Sequence, residues 1–279
     1  MLEEAPSNSV VVYVGVIFLA GFYFLIHSLV TRAFLLPRGG RLPPWRLSPT
    51  DFGLFLAALF LAVLAVQVGI GSLVIRSING TDHESALGIL IFGGLFHLTC
   101  IVVFLGFSRY LPENDRIPLS SAALSWFAAT GVAVYAFLAV LPVLYGGTLV
   151  WIQLLELVGI TPEHQDVVET FRDADSPLVI GGMIFLVVVL APISEEIIFR
   201  GCLYRFLKSY LPVWGSIAIS SILFSLMHQN SMGLLTLALL GALLCVVYER
   251  TGSLKVPILL HAVFNLNTVI LIFMQNGPE

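Results

Sequence analysis

Two adjacent carboxylates, Glu195 and Glu196, and an arginine, Arg200, sit near the end of an apolar run that begins close to Leu178. An ionised side chain in hydrocarbon costs about 2.5–3.5 kcal/mol or more, so such groups rarely stand there idle. On a helix, Glu196 and Arg200 lie four residues apart on one face and can pair. Glu195 is rotated by about 100° from that face and has no partner at that spacing. One carboxylate is therefore expected to be braced and the other left for chemistry. Pro192, one turn earlier, removes a backbone donor. It is expected to free the carbonyl of Val188 and to kink the helix just before the carboxylates.

Two more polar clusters follow. One apolar run ends Phe224-Ser225-Leu226-Met227-His228, and another contains His261 and Asn265, four residues apart on one helix face. Together, Glu195, Glu196, His228, His261 and Asn265 have the makings of a hydrolytic site. A carboxylate in an apolar pocket can act as a general base on water. An imidazole can hold that water or relay its proton. A second histidine and an asparagine amide one turn apart can donate to a developing oxyanion. This division of labour needs no metal and no cofactor. A zinc site is the alternative, since His and Glu are ordinary zinc ligands; the H-E-x-x-H spacing is absent.

These residues must be positioned by membrane helices. The chain has 279 residues, 58% hydrophobic and 11% charged, with mean hydropathy +0.98. A soluble domain carries about 25% charged residues. The composition predicts an all-α, polytopic membrane helix bundle with the lipid bilayer as its surroundings. The net charge is only −4, and no basic run suggests nucleic acid. Cys100, Cys202 and Cys245 fall in apolar runs without a C-x-x-C, and read as small core residues. The acidic N-terminus and long first apolar run read as a first span and not as a cleaved signal peptide.

At about 20 apolar residues per span, eight spans are expected: roughly Ser9–Leu36, Thr50–Ile75, Ser85–Phe107, Ser120–Tyr145, Pro177–Leu207, Val213–His228, Met232–Tyr248 and Val256–Met274. The apolar stretch Thr148–Ile160 is too short to span and is expected at the interface or as a continuation of the fourth span. Residues 1–176 form an N-terminal group ending in an acidic outer loop, and 177–279 hold the chemical core. Alternate connections carry 11 of the 13 basic residues, counting Arg200, Arg205 and Lys208 between spans five and six. The positive-inside rule then places both termini outside, in a plasma or inner membrane. Glu195 is expected about 7–8 Å from the cytosolic end, at about 1.5 Å per residue. His228, by the same argument, falls near the outer end of span six. The two conflict unless that helix is short or re-entrant, or the site lies mid-membrane.

Glu195-Glu196-x-x-x-Arg200, Phe224-x-x-x-His228 and His261-x-x-x-Asn265, in this order on successive spans, resemble the CAAX-protease and bacteriocin-processing (CPBP) family of intramembrane endopeptidases. The resemblance covers roughly Pro177–Met274. It implies an eight-helix, metal-independent glutamate endopeptidase acting on a peptide or lipidated peptide. It further implies that Glu195 activates water with help from His228, and that His261 and Asn265 form the oxyanion hole. Glu196, Arg200 and Phe224 would brace the site.

Plainer readings apply elsewhere. His97, His27 and Gln67 are expected to be interhelical or interfacial polar contacts, and His83 and His164 to lie in loops. The acidic stretch Thr161–Ser176 reads as a solvated outer loop. A different class of function, a non-catalytic scaffold or proton-coupled transporter, would also use intramembrane Glu and His. It usually shows paired halves, which this chain does not display.

Overall fold

Helix boundaries follow from capping chemistry. Ser48 accepts from the Asp51 amide at 3.0 Å and Pro49 follows it, opening α2 (Pro49–Val66). Ser125 does the same for α4 (Trp126–Leu157). Gly252, at φ +69°, ends α7 (Leu234–Thr251) in the left-handed region that glycine enters without strain. The computed structural model describes residues 8–34, 42–77, 86–111, 113, 116, 124–160, 170–171 and 176–276. The remaining helices among the described residues are α1 (Asn8–Thr31), α3 (Ala86–Tyr110), α5 (Pro177–Leu207), α6 (Val213–Met227) and α8 (Lys255–Asn276), while α2 continues through a π segment, Gln67–Gly71, into the short helix Ser72–Ser77. No strand occurs among the described residues.

The bundle is all-helical. Seven of these helices are long and apolar enough to cross a membrane. The sixth expected span, α6, has only 15 residues. At 1.5 Å per residue it covers roughly 22 Å, short of a hydrocarbon core of about 30 Å. The Thr148–Ile160 stretch continues the fourth span as far as Leu157. Arg38, Arg41, His83, His164 and most of Thr161–Ser176 lie outside the described residues.

One expectation about the Glu-bearing helix is corrected. Arg200 is not a loop charge: it is fully buried, and α5 runs on to Leu207. Glu195 is twelve residues from the helix end, at most about 18 Å along the axis. The short α6 brings His228 to the level of Glu195, 3.7 Å away, so the two do not fall at opposite ends of the bundle. On either side of the turn that holds Pro192, α5 is π-helical, at Leu186–Leu190 and again at Ile197–Tyr204. In the first of these the Ala191 amide bonds to the carbonyl five residues back, Leu186. A proline next in that register leaves the Val187 carbonyl without a backbone donor.

The basic connections gather at one end of the bundle. Residues 42–47 lie as a strap across the ends of α5 and α7. The Leu42 amide donates to Glu249 at 3.1 Å, and Lys208 donates to both Glu249 and the Leu42 carbonyl. Arg205 donates to the Pro43 carbonyl, and the Trp45 amide to Arg205. Trp45, Phe52, Phe55 and Tyr248 pack beneath the strap in one apolar cluster. Lys255 reaches the Leu124 carbonyl at 3.0 Å, tying the start of α8 to the segment before α4. Elsewhere, Ala129, Ala133 and Ala136 of α4 are fully buried against α7 and α8, small side chains allowing close approach where apolar area gives no drive for association.

Candidate active site

α5 presents the two carboxylates on a single α-helical turn, Ala191–Glu196, between its two π segments. Glu196 pairs with Arg200 at 2.7 Å, as the spacing requires, and both side chains are fully buried. The same Glu196 oxygen accepts from His261 Nδ1 at 2.9 Å. Arg200 also donates to the Gly241 carbonyl at 3.3 Å, and its guanidinium stacks 4.2 Å from the Phe224 ring centroid. Phe224 separates this ion pair from His228, whose ring centroid is 4.6 Å away.

Glu195 points elsewhere. Its Oε2 atom is buried and has no hydrogen-bond partner among the described residues. It stands 3.7 Å from His228 Nε2 and 3.8 Å from His261 Nε2. Both separations exceed a direct hydrogen bond and suit one bridging water. The two imidazoles are held from behind. His228 Nδ1 lies 2.8 Å from the Phe224 carbonyl, and a carbonyl only accepts, so Nδ1 carries the proton. His261 Nδ1 faces a carboxylate and is likewise the donor. Each ring therefore turns its Nε2 towards Glu195.

Asn265, one turn after His261, donates from Nδ2 to the Val187 carbonyl at 2.8 Å. This is the acceptor that Pro192 leaves open. One amide hydrogen of Asn265 is thus committed to holding the π segment, and the second remains. The sequence-derived site residues are brought together: Glu195, His228, His261 and Asn265 line one cavity of about 330 Å³. Glu196, Arg200 and Phe224 stand behind it.

His97 of α3 lines the same cavity, and its Nδ1 is 2.6 Å from the Ser194 hydroxyl. It is an interhelical polar contact, as expected, but its place at the cavity was not legible, because nothing in local spacing links residue 97 to residue 194. His27 and Gln67 are away from the cavity: His27 bonds to Tyr135 at 2.8 Å and Gln67 to the Phe92 carbonyl at 2.9 Å. The three cysteines are buried and free. A second, almost purely apolar cavity of about 380 Å³ meets the other side of Glu195, with Phe55, Phe60, Phe96 and Met227 among its walls. No group of three or more His, Cys, Asp or Glu side chains among the described residues has the arrangement to hold a metal ion.

Residues 177–267 match the family model described as type II CAAX prenyl endopeptidase Rce1-like. An uncharacterized 24.3 kDa protein of Escherichia coli is 29% identical over 173 residues, 60% of this chain and 72% of that protein. The UPF0177 protein YaiF of Lactococcus lactis is 37% identical over 99 residues, 35% of this chain and 43% of its own length. The "Putative membrane peptidase YdiL" of Bacillus subtilis is 33% identical over 89 residues, 32% of this chain and 36% of that protein. The last two alignments thus span less than half of each relative. No solved structure matches the chain.

Proposed function

We propose that this integral membrane protein, whose residues 177–267 match the Rce1-like model of type II CAAX prenyl endopeptidases, is an endopeptidase that cleaves a membrane-associated peptide with water activated by Glu195. The observation that carries this reading is the orphaned Glu195 Oε2, faced by two Nε2 atoms at 3.7 and 3.8 Å. A buried, unpaired oxygen is costly, and a general base is a use that repays it.

In this mechanism a water between Glu195 Oε2 and His228 Nε2 loses a proton to Glu195 as its oxygen attacks the scissile carbonyl carbon. The carbonyl π bond opens, and the negative charge goes to its oxygen. His261, protonated, donates from Nε2 to that oxygen, and the second amide hydrogen of Asn265 adds to it. Glu196 keeps His261 oriented through Nδ1, while Arg200 offsets the charge on Glu196. The intermediate then expels the amine, which takes the proton back from Glu195. No metal is assigned a step. Residues 177–279 supply these groups, and 1–176 supply the surrounding helices. The apolar cavity beside Glu195 suits an apolar side chain or lipid chain of the substrate. The basic end of the bundle, with its strap, faces the cytosol.

The test is a comparison of peptide ends in membranes from cells carrying the wild type or Glu195→Ala. Ends that vanish in the variant are the expected result. Identical sets of ends would remove the hydrolytic reading.

A further inference from the structure

His97 belongs to the reaction site although none of the three sequence motifs contains it. α3 comes very close to α5 just before it. A Cβ on Gly93, one turn ahead of His97, would stand 2.9 Å from Leu186, and a Cβ on Gly182 would stand 2.7 Å from Leu90. The Leu186 and Leu90 side chains thus pack directly over these glycines, and at this seam His97 reaches Ser194, the residue before Glu195. The contact, at 2.6 Å, is short. Ser194 is buried, at 2% exposure.

The direction of the bond follows from its neighbours. The Ser194 hydroxyl donates to the Ala191 carbonyl at 3.1 Å. Its oxygen is then the acceptor for His97, so His97 Nδ1 carries the proton. His97 thus joins His228 and His261 as a third ring anchored through Nδ1 in the same cavity. Its anchor differs from theirs in being the catalytic turn itself. That turn, Ala191–Glu196, has a π segment on each side. Neither flank supplies ordinary helical register, so rotation of the turn needs an outside reference. The Glu196–Arg200 pair holds its far end, and the His97–Ser194 bond holds the residue next to the base.

Resting on the hydrolytic reading above, we infer that His97 is a positioning residue: by donating to Ser194 it sets the rotation of the Ala191–Glu196 turn and so aims the Glu195 carboxylate into the chamber. His97 handles no proton in this role. Its loss acts on turnover through misplacement of the base and leaves peptide binding largely alone.

Two amide substitutions separate this role from a direct contact with substrate. An asparagine amide occupies the place of a histidine Nδ1, and a glutamine amide the place of Nε2. His97→Asn therefore keeps a donor to Ser194, while His97→Gln loses it but keeps a polar group in the chamber. Wild type, both variants, Ser194→Ala and the His97→Gln/Ser194→Ala double variant are purified into liposomes. Cleavage is followed on a peptide spanning one of the Glu195-dependent ends found in cells, with Glu195→Gln as the blank. The bond itself is read without substrate by NMR of isotope-labelled histidine nitrogens, which reports the tautomer of each ring.

The expected result is a protonated Nδ1 at His97 that depends on Ser194. His97→Gln and Ser194→Ala each lower kcat by about 10²-fold, the cost of a misplacement near 1 Å. KM stays unchanged, and the double variant falls no further than either single one. His97→Asn recovers most of the lost turnover. The reverse pattern, with glutamine active and asparagine dead, would overturn positioning and assign His97 to substrate contact. Wild-type turnover in all variants, or an Nδ1 without a proton, also overturns it. If no Glu195-dependent cleavage exists in the wild type, hydrolysis fails on its own, and the NMR result alone decides whether His97 anchors the turn.

Discussion

Asn265 on α8 donates its side-chain amide to the Val187 carbonyl on α5 at 2.8 Å. The bond exists because a π register followed by proline leaves that carbonyl without a backbone donor. A residue implied to stabilise an oxyanion therefore also holds the helix that carries the base.

Asn265→Ala is expected to act twice. Loss of one oxyanion donor costs about 10²–10³ in turnover. The orphaned Val187 carbonyl adds about 1–3 kcal/mol of destabilisation. Thermal unfolding in detergent beside the cleavage rate checks this. An unchanged melting temperature would mean that the Val187 contact contributes nothing to holding the π segment.

The two carboxylates are expected to separate cleanly. Glu195→Gln keeps size and polarity but loses the base, so turnover falls by about 10²–10⁴-fold, with the melting temperature retained. Glu196→Gln weakens two charged contacts at one oxygen, those of Arg200 and His261. Breaking a buried pair costs about 3–5 kcal/mol, so yield and melting temperature fall together with activity. A stable but dead Glu196→Gln beside an unstable but active Glu195→Gln would reverse the assignments.

Chelation distinguishes the hydrolytic chemistries. With Glu195 and His228 acting on water directly, EDTA leaves cleavage unchanged. Loss of cleavage in EDTA, restored by added zinc, would establish the metalloprotease alternative.

The strap gives a prediction about stability away from the chamber. Glu249 is fully buried and accepts from Tyr204 at 2.7 Å as well as from Leu42 and Lys208. Glu249→Gln removes the countercharge of a buried lysine, which is expected to cost about 3–5 kcal/mol. It should also expose the 42–47 segment to protease, read as accelerated cleavage there in limited proteolysis of detergent-solubilised protein. Protease resistance equal to the wild type would mean that the strap is held without Glu249.

Orientation is checked by single cysteines. Tyr110 ends α3 beside the basic connections and is 91% exposed, whereas Val158 follows α4 at the opposite end and is 69% exposed. A cysteine at 110 should label with an impermeant thiol reagent only after the cells are opened. One at 158 should label in intact cells. The opposite pattern inverts the topology.

What the sequence determined on its own were relations within one helix turn. The Glu196–Arg200 pair is there because residues four apart share a face wherever the chain is helical. The same rule stacks His261 over Asn265, and hydropathy alone sufficed for an all-helical membrane bundle. Arg200 was misread as a connection charge because counting basic residues treats every arginine alike, whereas Arg200 is consumed by a buried ion pair within α5. Tertiary structure decided the rest. The register of α5 just before Pro192 is π, and the Val187 carbonyl there is the partner of Asn265. The length of α6 brought His228 to the level of Glu195. His97 meets Ser194 across 97 residues, and Lys208 meets Glu249 across 41. Such pairs leave no periodic signal, because their contact is set by how closely glycines let two helices pack and by where short helices end.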